Sequence, residues 1–296
     1  MKILLLGKDG QVGWELQRAL SPLGELVALG RQQADLEDLD GLRKVVQSIE
    51  PNIIVNAAAY TAVDKAESEP EKAHKINAQA VGILAEEAKR LNAWLVHYST
   101  DYVFDGEKAS SYMEDDEPNP LSVYGKTKLA GEQLIRQSGA KYLIFRTSWV
   151  FAARGGNFAK TMLRLAKERE QLKVVADQHG APTSAELIAD VTALALHRVV
   201  TQAAEENYSG TYHLAASGQT TWHGYARYVV EQALACNTPL KTTVDSVLPI
   251  ATEDYPLPAK RPSNSRLDTS KLSSVFHLQL PDWRHHVQRM LEELKG

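Results

Sequence analysis

Apolar residues along this chain fall into short runs that alternate with stretches of helical period. Lys2-Ile3-Leu4-Leu5-Leu6-Gly7 is an apolar run closed by glycine, which predicts a strand buried on both faces. From Trp14 to Leu23 the apolar positions Leu16, Ala19 and Leu20 share one helical face. Further strands are predicted over Glu25 to Gly30, Ile53 to Ala59, Trp94 to Ser99 and Tyr142 to Val150. Helices are predicted over Leu39 to Ile49, Pro70 to Leu91 and Tyr124 to Gln137. The second of these opens on a proline, whose missing N–H costs nothing in a first turn. Strand followed by helix predicts an α/β fold, a Rossmann-type doubly wound parallel sheet covered on both faces.

After about residue 150 the alternation loosens. Asn157 to Arg169, Ala185 to Val199, Thr221 to Leu234 and Trp283 to Leu294 read as helices, and Gly210 to Ala215 as a strand. Asp245 to Arg266 carries Pro249, Pro256, Pro258 and Pro262, with Pro239 just before it. Such a stretch excludes a regular helix or a central strand. The expected division is a dinucleotide-binding domain over residues 1-150, to which later segments return, and a smaller C-terminal substrate-binding lobe over 151-296. The lobe is expected to face the carboxyl ends of the strands, where open α/β sheets bind ligands.

At 296 residues the chain is long enough for one large α/β domain with a lobe attached. Its 33 basic and 37 acidic residues leave a net charge of −4 with no basic stripe, which argues against a nucleic-acid partner. The single cysteine, Cys236, excludes an internal disulfide, suits a reducing cytoplasm and reads as a small apolar filler. The apolar run after Met1-Lys2 is too short for a signal peptide or a membrane span, so a cytoplasmic protein with no membrane partner is expected. The histidines form no H-E-x-x-H pattern, and neither G-x-S-x-G nor a Walker A sequence occurs, which sets aside metalloprotease, serine-hydrolase and P-loop chemistry. His97, inside an apolar run, reads as a satisfied core residue.

Three stretches carry chemistry when taken in order. Gly7-Lys8-Asp9-Gly10-Gln11-Val12-Gly13 links a predicted strand to a predicted helix, where glycine lets the backbone turn tightly and approach a pyrophosphate. Arg31 stands at the end of the second strand, where an acidic residue would repel a 2′-phosphate. This predicts NADPH as cofactor with NADH also accepted, and Asp35 and Leu36 beside the adenine. Ala57, Ala58 and Ala59 are small enough for a ribose and nicotinamide to lie against the backbone. Thr100 follows the strand ending at Ser99, and Tyr124 and Lys128 are one helical turn apart on the same face. A ketone accepting a hydride needs a proton on its oxygen, and a phenol can give it. Lys128 is expected to acidify Tyr124; a drop of about three pKa units corresponds to about 4 kcal/mol.

These residues resemble the extended short-chain dehydrogenase/reductases. Within that superfamily, several longer stretches are similar to the dTDP-4-dehydrorhamnose reductase family. They are Asn56 to Glu67, Tyr98-Ser99-Thr100-Asp101-Tyr102-Val103-Phe104-Asp105-Gly106, Tyr124 to Glu132, Arg146 to Phe151, Asp177 to Thr183 and Arg261 to Leu267. The resemblance covers nearly the whole chain. It implies reduction of the C4 ketone of a dTDP-linked 4-dehydro-L-rhamnose, the last step toward a rhamnose donor for bacterial surface polysaccharide. It implies catalytic roles for Thr100, Tyr124 and Lys128, cofactor contacts that include Tyr60 and Thr61, and sugar contacts from Thr61, Thr100, Asp101, Trp149 and Arg261. Some members form a homodimer around a shared Mg²⁺, and the matching positions here are Glu15, Glu186 and Glu293.

Two alternatives share the scaffold. A nucleotide-sugar epimerase or dehydratase would keep NAD bound and regenerate it, and dehydratases need an acid pair beside the strand-end Thr, where this chain has Asp101-Tyr102. A non-catalytic reductase-like regulatory subunit would be favoured by loss of the Tyr or Lys, and both are present.

Overall fold

In the computed structural model, which describes residues 1–202 and 207–294, six parallel strands form the central sheet. They are β1 (Lys2–Leu6), β2 (Glu25–Leu29), β3 (Ile53–Asn56), β4 (Trp94–Thr100), β5 (Lys141–Thr147) and β6 (Gly210–His213). Across the sheet they run β2-β1-β3-β4-β5-β6. The chain leaves β1 toward β2 on one side and continues from β3 on the other, so a crevice opens between the carboxyl ends of β1 and β3.

Alternate strand residues feed two cores. Ile3, Leu5, Val55, Val96 and Phe145 face one core with Leu16 and Leu20 of α1 (Gln11–Leu20) and with Ile188, Ala195 and Val199. Leu4, Leu6, Ile54, Leu95 and Ile144 face the other with Leu42 and Val46 of α2 (Leu39–Ile49) and Leu84 of α3 (Ala80–Leu91). Ile135 of α4 (Val123–Ser138) closes that second face. Each fully buried aliphatic side chain is worth about 1.5–3 kcal/mol against exposure, which is why a strand apolar on both faces is stable only inside two such layers.

The predicted helix Pro70 to Leu91 is helical throughout, but Lys75–Gln79 is a turn of π-helix between Pro70–His74 and α3. This bulge turns Asn77 inward, where its amide bonds the backbone of Tyr60 on both sides and the Thr127 hydroxyl. The predicted strand Tyr142 to Val150 breaks at Ser148-Trp149. Trp149 has φ +49°, and Val150–Phe151 pairs with Thr183–Ser184.

The later half carries α5 (Phe158–Glu168), α6 (Ala185–Gln202), α7 (Trp222–Ala235) and α8 (Trp283–Glu293). Two of its segments return to the sheet: α6 packs beside α1, and β6 extends the sheet next to β5. In the proline-bearing stretch Val247–Ile250 pairs only with Leu172–Val175, an outer position that tolerates Pro249. Among the described residues, no helix is long and apolar enough to cross a membrane.

Candidate active site

A cleft of ≈ 770 Å³ lies over the carboxyl ends of β1, β3 and β4. Gly7, Gly10, Gln11 and Val12 line one end of it. Gly7 has φ +82°, and a Cβ there would meet the Ala58 amide nitrogen at 2.7 Å, so only glycine fits. Gly13 is outside the lining. A Cβ at Gly13 would stand 2.0 Å from the Gly7 carbonyl oxygen, so this glycine allows helix and turn to touch. No side chain caps α1 and no acidic residue occupies its first turn, so its leading amides are free for an anion.

Ala57, Ala58, Ala59 and Thr61 form the wall above β3. Tyr60 between them points elsewhere: its hydroxyl donates to Glu69 at 2.7 Å and its ring packs into the second core. Arg31, Asp35 and Leu36 line the outer end. The Arg31 guanidinium pairs with Asp35 at 3.3 Å and also with Glu37, a partner the sequence gave no reason to single out.

At the other end stand Thr100, Asp101, Tyr124, Lys128 and Trp149. Ser122 caps α4 by accepting from the Gly125 amide, which sets the first turn that carries Tyr124. The Thr100 hydroxyl donates to Asp101 Oδ1 at 3.0 Å. The other carboxylate oxygen of Asp101 and the hydroxyl of Thr147 are buried in the cleft wall with no hydrogen-bond partner among the described residues. Burial pushes the Asp101 carboxyl up to about 6.

The expected acidification of Tyr124 by Lys128 is not found. Burial, then the Asp101 charge, push the phenol up to about 12, with the Thr100 hydroxyl pulling the other way. The Lys128 ammonium points along the strand instead: Nζ donates to the Tyr98 carbonyl at 2.6 Å and lies 3.2 Å from His97 Nε2. Burial in turn brings Lys128 down to about 8. The reason is physical. Both groups sit in a dry wall that penalises their charged forms, and the ammonium bonds the Tyr98 carbonyl, not the phenol, so no attraction between them offsets that penalty.

Trp149 lines the cleft and also packs against the later half of the chain. Its ring stacks on Trp222 at 3.7 Å between centroids, and a Cβ at Gly180 would come within 2.6 Å of it. Arg261 lies outside the cleft lining and is committed to Asp64, with Nη1 and Nη2 at 2.9 and 2.7 Å from its two oxygens.

The three glutamates expected to share Mg²⁺ with a second copy do not form a metal-holding group within one chain. Among the described residues no group of three or more His, Cys, Asp or Glu side chains is placed to hold a metal. Glu186 is gripped at both oxygens by Arg289 at 3.0 Å, and Glu15 lies 3.6 Å from Arg18. Burial, with smaller repulsions from Glu186 and Glu293, raises the Glu15 carboxyl. The carboxylates approach one another, but arginines already neutralise two of them.

A family model described as the RmlD substrate binding domain matches residues 1–295. The chain is 54% identical to the dTDP-4-dehydrorhamnose reductase of Escherichia coli (strain K12), over 99% of this chain and 98% of that protein. The chain belongs to this reductase family. Solved structures of family members superpose over its full length. One is a dTDP-4-dehydrorhamnose reductase from Clostridium acetobutylicum, with TM-score 0.88, 36% identity and 100% of both chains covered. Another, from Bacillus anthracis, was solved in complex with NADP, with TM-score 0.87, 35% identity and 99% of both chains covered. In this reductase-family chain, sequence reasoning missed Asn56 and the contact of His97 with Lys128. A buried His reads the same in a sequence whether it faces a core or a catalytic lysine.

Proposed function

We propose that this chain catalyses the NADPH-dependent reduction of the C4 ketone of dTDP-4-dehydro-L-rhamnose to dTDP-L-rhamnose, closing the synthesis of a rhamnose donor. The carrying observation is that Thr100, Tyr124 and Lys128 share one cleft with the uncapped start of α1. The 54% identity to a reductase of that name supplies the substrate.

NADPH bound here would supply the hydride. The glycine turn, the amino end of α1 and the alanine wall fit its pyrophosphate and ribose. Arg31 would meet a 2′-phosphate by exchanging one of its two carboxylate partners. Asp101, Trp149 and Thr61 line the space left for the sugar. Tyr124 orients the carbonyl oxygen with its hydroxyl, and Thr100 joins it by turning its O–H from Asp101 to the ligand.

With its phenol pushed up to about 12, Tyr124 holds its proton at neutral pH. It gives that proton to the carbonyl oxygen as negative charge collects there, since an alkoxide is the stronger base. Lys128, brought down to about 8 and lining the same cleft, then returns a proton to Tyr124 through water between them. The reductase works in the cytoplasm as a homodimer in this reading, and no step runs through Mg²⁺.

The test follows NADPH absorbance with and without the dTDP-linked ketone. Oxidation is expected only with the ketone. Tyr124→Phe lowers kcat by about 10²–10⁴-fold while NADPH affinity is retained. Full activity in that variant would overturn the proton-donor role.

A further inference from the structure

Behind Lys128 lies a buried chain of hydrogen bonds that runs across three elements. The Ala58 amide donates to Asn56 Oδ1 at 3.1 Å. A backbone amide can only donate, so this contact fixes the orientation of the Asn56 side chain. Its Nδ2 then faces His97 Nδ1 at 3.2 Å as a donor. His97 Nδ1 must therefore accept, and the neutral ring carries its hydrogen on Nε2. That N–H points at Lys128 Nζ, 3.2 Å away. Asn56, His97 and Lys128 are all nearly fully buried, so no solvent relieves the contact.

An ammonium opposite an N–H is disfavoured, whereas an amine can accept from the ring while still donating to the Tyr98 carbonyl. We infer that His97, its tautomer locked by Asn56, is a positioning residue that weakens the hold of the Lys128 ammonium on its proton and so eases the return of a proton to Tyr124. The inference rests on the proton role given to Lys128 above. The protons balance: one leaves Tyr124 for the new hydroxyl, one leaves Lys128 for Tyr124, and one from water restores Lys128. No electrons move in these steps.

Burial lowers Lys128 on its own, and the effect of His97 comes on top of it; among the described residues no other neighbouring group acts in the same direction. Glu132, one turn further along α4, favours the ammonium, but Arg146 from β5 grips both its oxygens and Arg136 takes one of them. The Tyr98 hydroxyl is engaged with Thr192, and Asp101 acts on Tyr124. Burial holds His97 well below the ordinary imidazole range, and the Lys128 charge adds to this, so the ring stays neutral.

The test is the pH profile of kcat for ketone reduction. Its alkaline limb reports loss of the Lys128 ammonium. In His97→Gln the amide can turn its oxygen to Nζ. In Asn56→Asp the side chain still accepts from Ala58 but forces the His97 hydrogen onto Nδ1, so Nε2 becomes an acceptor. Both variants are expected to move the limb to higher pH by about one unit, a tenfold change in the ionisation constant. An even loss of kcat with the limb unmoved would overturn the inference and leave His97 a packing residue. Nitrogen NMR of the wild-type protein, with His97 assigned through the backbone, is expected to show the hydrogen on Nε2; finding it on Nδ1 would also overturn it. Undiminished turnover in Tyr124→Phe would instead sink the reading of the site, a separate outcome.

Discussion

Asp101 illustrates what burying a carboxyl in a cleft wall costs. Burial raises its carboxyl from 3.8 to about 6. Between those values the folded chain binds a proton that the unfolded chain has released, so stability falls as pH rises through this window. Two units correspond to about 3 kcal/mol at most. Asp101→Asn should therefore make the ligand-free protein more stable at pH 7 and leave it nearly unchanged at about pH 3.5, below both pKa values. Urea unfolding midpoints at the two pH values check this. The same variant should raise KM for the sugar nucleotide, because it alters a group on the cleft wall. Thr100 and Tyr124 were legible as residues because hydroxyl and phenol mark the chemistry. The direction in which burial shifts the Tyr124 phenol was not, because desolvation depends on which neighbours exclude water.

At the scale of elements, α4 is tied to β5 by a buried ion pair. Arg146 donates to both oxygens of Glu132 at 2.9 and 2.7 Å, and neither side chain is exposed. Burial alone would raise the Glu132 carboxyl, but the arginine bonds and charge win and hold it below 4.5. Its contribution to stability is present above that value and is lost as pH falls through the depressed folded value. Arg146→Met leaves a buried carboxylate with Arg136 on one oxygen alone, and should cost about 3–5 kcal/mol at pH 7. The loss should shrink toward low pH; a pH-independent loss would mean that packing rather than charge had been removed. Helix and strand periodicity made α4 and β5 readable in the sequence. The π-turn at Lys75–Gln79 was not readable, since its apolar pattern is that of an ordinary helix and only the demands of Asn77 reveal it.

Across the whole molecule, the proline-bearing segment is fastened to the first half by Arg261 and Asp64. Their paired bonds at 2.9 and 2.7 Å are joined by the Ala259 amide donating to Asp64 at 3.2 Å. If Arg261 serves as a fastener, Arg261→Met and Asp64→Asn should raise KM for the sugar nucleotide alike and expose the segment to limited proteolysis. If Arg261 binds the substrate directly, only its own replacement will raise KM.

The sequence by itself determined the alternation of strand and helix, the glycine turn after β1 and the residue types of the reducing site. Those features are local: hydrophobic period, backbone freedom and side-chain chemistry are written in neighbouring residues. Only the tertiary structure decided that β6 returns from residue 210 to the sheet, that Trp149 is pinned against Trp222, and that Lys128 bonds the Tyr98 carbonyl beside His97. Each of these depends on residues far apart in the chain competing for the same dry space, and no local pattern records which of them wins.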